Sequence, residues 1–117
     1  MNISISELHI ETNPELRAYA EKKSRKLTKY HPRIEDLKIR LISQKSHRGQ
    51  EQDYYCELTI HVPGRILEII DIQRDMEKAI DNAVERMKRI LVKSREKEIS
   101  KLHKRGIIGK LLNRWQS

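Results

Sequence analysis

Tyr55-Cys56-Glu57-Leu58-Thr59-Ile60-His61-Val62 alternates polar and apolar side chains at every step, and after Pro63-Gly64-Arg65 an apolar run resumes over Ile66 to Ile72. A period of two places one set of side chains on each face of a strand. Proline followed by glycine is the composition of a tight turn, so Val62-Pro63-Gly64-Arg65 joins two antiparallel strands into a hairpin. The same period recurs upstream. Leu37, Ile39 and Leu41 alternate with Lys38 and Arg40, and Ile3 and Ile5 alternate with Ser4 and Ser6, giving two further strands. Gln44 to Asp53 (QKSHRGQEQD) is polar and without periodicity, which predicts a flexible loop.

Two segments change the period to 3.6. Thr12-Asn13-Pro14-Glu15 opens the first: Asn13 suits an N-cap, and Pro14 at the first helical position loses only an N–H that has no intrahelical partner. At about 100° per residue, Leu16, Tyr19, Ala20, Leu27 and Tyr30 fall on one face. Lys22, Arg25, Lys26 and Lys29 fall on the opposite one, while Lys23 lies within the apolar arc and is expected to snorkel at its edge. His31-Pro32 ends this helix, expected over Asn13 to Tyr30, because proline disfavours helical geometry in the residue before it. The second helix starts at Asp75 as N-cap, with an apolar stripe of Met76, Ile80, Ala83, Val84, Met87, Ile90 and Leu91. Arg86, Arg89, Lys93 and Lys97 line another of its faces, and Lys104 continues that line if the helix lasts. No Gly or Pro interrupts Asp75 to Arg105, and the thinning stripe over Lys93 to Lys104 predicts an end that projects beyond the domain body.

The element order is therefore βαβββα. A helix between two parallel strands crosses over one face of their sheet, and the second helix needs that same apolar face. The expected fold is α+β: a four-stranded sheet with two helices packed side by side on one face, like a double-stranded-RNA-binding domain, with the basic edges of both helices pointing away from the sheet together.

At 117 residues the chain suits one domain. Its 25 Lys plus Arg against 17 Asp plus Glu give a net charge of +8, and charged residues make up 36%, well above the roughly 25% of an average domain. The excess is localised. Residues 14–33 carry seven basic and two acidic side chains and residues 76–117 twelve and five, whereas residues 34–75 carry six and eight. Both concentrations fall on the helices. Lys and Arg that neutralise phosphates release condensed counterions, which gives affinity without base reading, and folded RNA presents dense phosphate to shape-matched basic helices. With no Phe and 4% aromatics, an aromatic stacking platform is not expected.

Other chemistry finds little support. Cys56 is the only cysteine, which excludes an internal disulfide framework and a cysteine-built zinc site; it points inward on its strand as a small core residue. His9, His31, His47, His61 and His103 form no HxxxH or HxH pair, so no metal is expected. Glu57 and Glu68 are expected to face each other across the hairpin, but acid–base catalysis would need a cleft around them. Gly106-Ile107-Ile108-Gly109 spells a KH-type loop but lies in the last dozen residues, not between two helices of a fold. The expectation is a protein with no catalytic residues, no cofactor and no small-molecule substrate. The chain has no apolar run long enough to span a membrane and no signal-peptide pattern at MNISISELHI, so a cytoplasmic, non-membrane protein is expected.

Several segments together resemble one known family. Leu16-Arg17-Ala18-Tyr19-Ala20-Glu21-Lys22-Lys23, with Lys26-Leu27-Thr28-Lys29-Tyr30, is similar to the first helix of the ribosome hibernation-promoting factors, a family that includes the ribosome-associated inhibitor and "sigma-54 modulation" proteins. Val62-Pro63-Gly64 resembles its hairpin turn; Asp75-Met76, Ala79-Ile80-Asp81, Arg86, Arg89, Leu91 and Lys93 resemble the start and basic stripe of its last helix. The likeness runs from about Met1 to Lys97. It departs at Glu77, where the family often has Tyr, and at Glu7, where it often has Gly.

The resemblance implies a ribosome-binding βαβββα domain over residues 1–104 that lies in the mRNA and tRNA channel of the small ribosomal subunit and blocks translation by steric occlusion, in stationary phase and under stress. It implies ribosomal RNA contacts by Lys22, Lys23, Arg25, Lys26 and Lys29 and by Arg86, Arg89, Lys93 and Lys97. It also implies the short form of the family, monomeric when free and lacking the added domain that pairs ribosomes. Two other readings stay open: a general structured-RNA-binding module not dedicated to the ribosome, and, more weakly, a transcription modulator. Residues 105–117 (RGIIGKLLNRWQS) form a basic amphipathic tail outside the likeness, with Ile107, Ile108, Leu111, Leu112 and Trp115 at helical spacing. Taken alone, the tail is expected to be exposed in the free protein and to order on ribosomal RNA. Folding back onto the domain, or resting on a membrane or partner protein, are the alternatives.

Overall fold

Pro63 and Gly64 form a two-residue connection between the strands Gln52–Val62 and Arg65–Gln73, which pair antiparallel from Val62↔Arg65 to Tyr54↔Gln73. Gly64 has φ +77°, the left-handed value that the third residue of a type II Pro-Gly turn requires and that a side chain would resist. The structure, a computed structural model, describes residues 2–10, 14–45 and 52–102, with the side chains of Glu98, Ser100, Lys101 and Leu102 excepted.

Four strands form one sheet in sequential order: β1 (Asn2–Leu8), β2 (Asp36–Lys45), β3 (Gln52–Val62) and β4 (Arg65–Gln73). The β1–β2 pair is parallel and the others are antiparallel. A helix, α1 (Pro14–Arg25), and a short 3-10 turn (Lys26–Lys29) connect β1 to β2, and α2 (Met76–Leu102) follows β4. The expected βαβββα order and α+β class are those of the structure.

The strand period sorts the side chains as anticipated. Leu37, Ile39, Leu41, Cys56, Leu58, Ile60, Leu67 and Ile69 are buried under the helices, where they meet Ala20 and Leu27 of the first connection and Met76, Ala79, Ile80, Ala83, Met87 and Leu91 of α2. Each buried Leu or Ile is worth about 1.5–3 kcal/mol over its exposed state, so this single layer of contact holds sheet and helices together. Cys56 is fully buried within it. Burial, with the nearby charges of Asp71 and Glu57, pushes its thiol up to about 12. Thiol reagents at pH 8 should therefore leave the folded protein unlabelled and modify Cys56 only when denaturant is added; rapid native labelling would show that the hairpin opens.

Three local expectations change. The first helix does not run to Tyr30 as α-helix. It tightens after Arg25 into the 3-10 turn, closed by Tyr30 N–H donating to Leu27 O at 3.0 Å, which places Leu27 fully inside the core before Pro32. The anticipated loop over Gln44 to Asp53 is shorter, because Gln44↔Asp53 and Lys45↔Gln52 still pair and Gln52 Nε2 donates to Ser43 Oγ. Backbone groups make a strand ladder, so polar side chains need not end it. Glu57 and Glu68 do not face each other: their partners are Ile70 and Thr59, because the two-residue turn sets a register that leaves them two residue pairs apart along the ladder. Asn13, residues 46–51 and the tail lie outside the described residues. On α2, packing continues to Ser94, which is buried, and Arg95, Glu96, Lys97 and Ile99 beyond it are exposed, as the thinning stripe anticipated.

Candidate nucleic-acid interface

Lys22 and Arg25 of α1, with Lys26 and Lys29 of its 3-10 extension, lie opposite the buried pair Ala20 and Ser24, so they point away from the sheet. Lys22, Arg25, Lys26 and Lys29 line one shallow depression together with Ala18 and Glu21. One carboxylate is already engaged there, since Arg25 Nη2 lies 2.6 Å from Glu21 Oε1 across one helical turn. Four cations and one acid on this exposed helical surface form a strongly positive patch open to a polyanion.

Lys23 turns toward α2 instead. Its Nζ lies 5.6 Å above the Tyr19 ring and 3.7 Å from Asp81 Oδ1, so the stem covers apolar surface while the charge stays at its edge. Between the helices, Lys23, Lys26 and Lys88 line a cleft floored by Leu27, Tyr30 and Val84. Lys88 Nζ sits 5.2 Å over the Tyr30 ring. Lys88 escaped the sequence reading because it lies off the Arg86–Lys97 line. Its signal was its place four residues after Val84, on the border of the apolar stripe that meets α1.

Tyr19 fastens this cleft by donating its hydroxyl to Asp81 Oδ1. That bond, then desolvation, then the charges of Asp81, Glu77 and Asp75 push the phenol up to about 12. A raised value means the bond stabilises the fold fully below pH 10 and is lost as pH climbs through about 12. Tyr19→Phe should cost about 1 kcal/mol at neutral pH, and its deficit against wild type should vanish across that alkaline window in paired denaturation curves. A constant deficit would assign the loss to packing.

On α2 the expected residues divide. Arg86 Nη1 donates to Ile70 O at 2.9 Å and to Asp71 Oδ1 at 3.2 Å, so its guanidinium is held against the outer edge of β4. Arg89 is largely exposed, with Nε 3.9 Å from Glu85 Oε1. Lys93 and Lys97 are exposed and follow Arg86 along the flank of α2 that is turned toward β4. The two stripes thus do not meet in one groove. The α1 stripe faces outward, the α2 stripe leans toward the opposite side of the domain, and Asp81, Glu85 and Lys88 lie between them. Of the residues departing from the family pattern, Glu7 anchors β1 to α1 through Arg17 Nη1 at 3.0 Å, and Glu77 lines a cleft at the start of α2 beside Tyr54 and Arg74.

Sheet, helices and cations define an α+β domain whose helical layer carries the positive charge. The chain belongs to the family described as Sigma 54 modulation protein / S30EA ribosomal protein, whose model matches residues 3–99. It is 28% identical over 101 residues to the ribosome hibernation promoting factor of Azotobacter vinelandii, a match covering 86% of this chain and 89% of that protein. Its fold is similar to a ribosomal subunit interface protein from Coxiella burnetii, with TM-score 0.70, 19% identity, and coverage of 82% of this chain and 99% of that one. It is similar also to the N-terminal domain of Thermus thermophilus Protein Y, with TM-score 0.66, 24% identity, and coverage of 80% and 98%.

Proposed function

We propose that this protein is a ribosome hibernation factor: residues 1–104 bind ribosomal RNA in the mRNA and tRNA channel of the small subunit and block translation by occupying it. The observation that carries the reading is the outward patch of Lys22, Arg25, Lys26 and Lys29 on a rigid helix, on a chain of this family with a relative named as a hibernation factor. Lys23 and Lys88 extend that patch into the cleft. Arg89, Lys93 and Lys97 form a second contact surface, and Arg86 acts mainly by holding β4. Occlusion needs no catalytic group; a folded body of fixed shape anchored to phosphates is sufficient. The factor acts in the cytoplasm and is monomeric when free.

Cosedimentation tests the reading. The protein should pellet with intact small subunits and whole ribosomes, release steeply as salt rises, and compete with mRNA. Equal retention by free duplex RNA at the same salt would instead identify a general structured-RNA module.

A further inference from the structure

Among the described residues no element covers the sheet face opposite the helices, and its side chains differ from those of the helical layer. Ile66, Ile70 and Ile72 of β4 point outward on it and are 64%, 52% and 51% exposed. The register continues this apolar surface inward, because Ile72 pairs with Tyr55, Tyr55 with Ile42, and Ile42 with Leu8, a row that crosses all four strands. Asp36, Asp53, Glu57 and Glu68 share the face with Lys38, Arg40 and His61; Arg40 lies 3.8 Å from Glu57, His61 3.4 Å from Asp36, and Arg74, just past the end of β4, 3.5 Å from Asp53. One side of the domain is therefore strongly basic, and the other is apolar with a slight excess of acid. Phosphate would not select the second face.

We propose that residues 103–117 of this same chain dock on the open face along β4. Their composition matches it: five large apolar residues, Ile107, Ile108, Leu111, Leu112 and Trp115, and four cations, Lys104, Arg105, Lys110 and Arg114, with no acid. Those cations are repelled by the helical layer and attracted by Glu57 and Glu68. The geometry permits it. β4 extends about 27 Å, whereas α2, which starts three residues after β4 ends and packs back over β4 and β3, is about 40 Å long. Its last turns therefore pass the Pro63–Gly64 connection, and the chain continues from the end of the sheet where Ile66 lies. Residues 103–106 span up to about 14 Å when extended, and all fifteen about 50 Å, enough to round the β4 edge and reach Ile72, about 20 Å beyond Ile66. Gly106 lets the backbone turn there. Docking would remove from water the three most exposed isoleucines of an edge strand, a surface otherwise prone to association.

Trp115 is the only tryptophan, so its fluorescence in the full chain, without ribosomes, tests the proposal directly. The expected result is blue-shifted emission that resists acrylamide and does not change with protein concentration. The double variant Ile70→Asp and Ile72→Asp should shift the emission to that of exposed indole and raise quenching severalfold, with helical content by circular dichroism unchanged. Leu111→Asp with Leu112→Asp, which leaves the domain core untouched, should do the same. Exposed-type emission in wild type overturns the proposal. So does a shift from the tail variant without one from the sheet variant, which would place the tail elsewhere, or a blue shift that appears only as concentration rises, which would indicate a second copy. None of these outcomes bears on ribosome binding.

Discussion

Lys26→Glu with Lys29→Glu is expected to abolish inhibition of translation in a purified system while the thermal melt stays near that of wild type. Both side chains are exposed on the outward face of the 3-10 turn, so neither contributes to the core. Each lysine removed from a phosphate takes about one unit off the slope of log affinity against log salt, and each glutamate adds repulsion. The double reversal should thus lower the slope by about two and weaken small-subunit binding by well over tenfold. Arg89→Glu with Lys93→Glu should also abolish inhibition, through the second surface. Lys38→Glu with Arg40→Glu sits on the open sheet face and should change binding far less. If all three pairs lose binding equally, total charge and not the helical surface governs the interaction.

Leu27→Ala is expected to produce the opposite pattern. Leu27 lies between the two lysines in sequence but is fully buried, and it is the residue by which the 3-10 turn grips the core. Truncating a fully buried leucine costs about 2–5 kcal/mol, a large fraction of the 5–15 kcal/mol that holds a typical domain. With a urea slope of about 1–3 kcal/mol per molar, the denaturation midpoint should fall by at least about 0.7 M. Lys26→Ala and Lys29→Ala should leave stability within about 0.5 kcal/mol of wild type and still weaken binding. A Leu27→Ala protein as stable as wild type would mean that this turn does not anchor the basic face.

The two predictions separate what neighbouring residues do, and the sequence already contained much of that division. Strict alternation over Tyr55 to Val62, the Pro63-Gly64 turn and the 3.6-residue stripes of both helices pointed to one sheet face covered by both helices, because that arrangement buries every stripe. The outward set Lys22, Arg25, Lys26 and Lys29, and the edge position of Lys23, were legible for the same reason: within one helix, angular position follows from residue number alone.

Relations between elements were not legible in this way. The register that separates Glu57 from Glu68 depends on how two strands meet across the Pro63–Gly64 turn, and the continuation of β2 and β3 through Gln44 to Asp53 depends on backbone pairing that side-chain composition does not report. The side of α2 that meets α1 is set by packing of Asp81, Val84 and Lys88 against Tyr19, Lys23 and Tyr30. That packing turned Arg86 to the β4 edge and brought Lys88 into the cleft. The apolar row from Leu8 through Ile42 and Tyr55 to Ile72 comes from four segments far apart in the chain. Periodicity assigns a residue to a face of its own strand or helix; which residues of other elements lie beside it is settled by hydrogen-bond register and core packing between them.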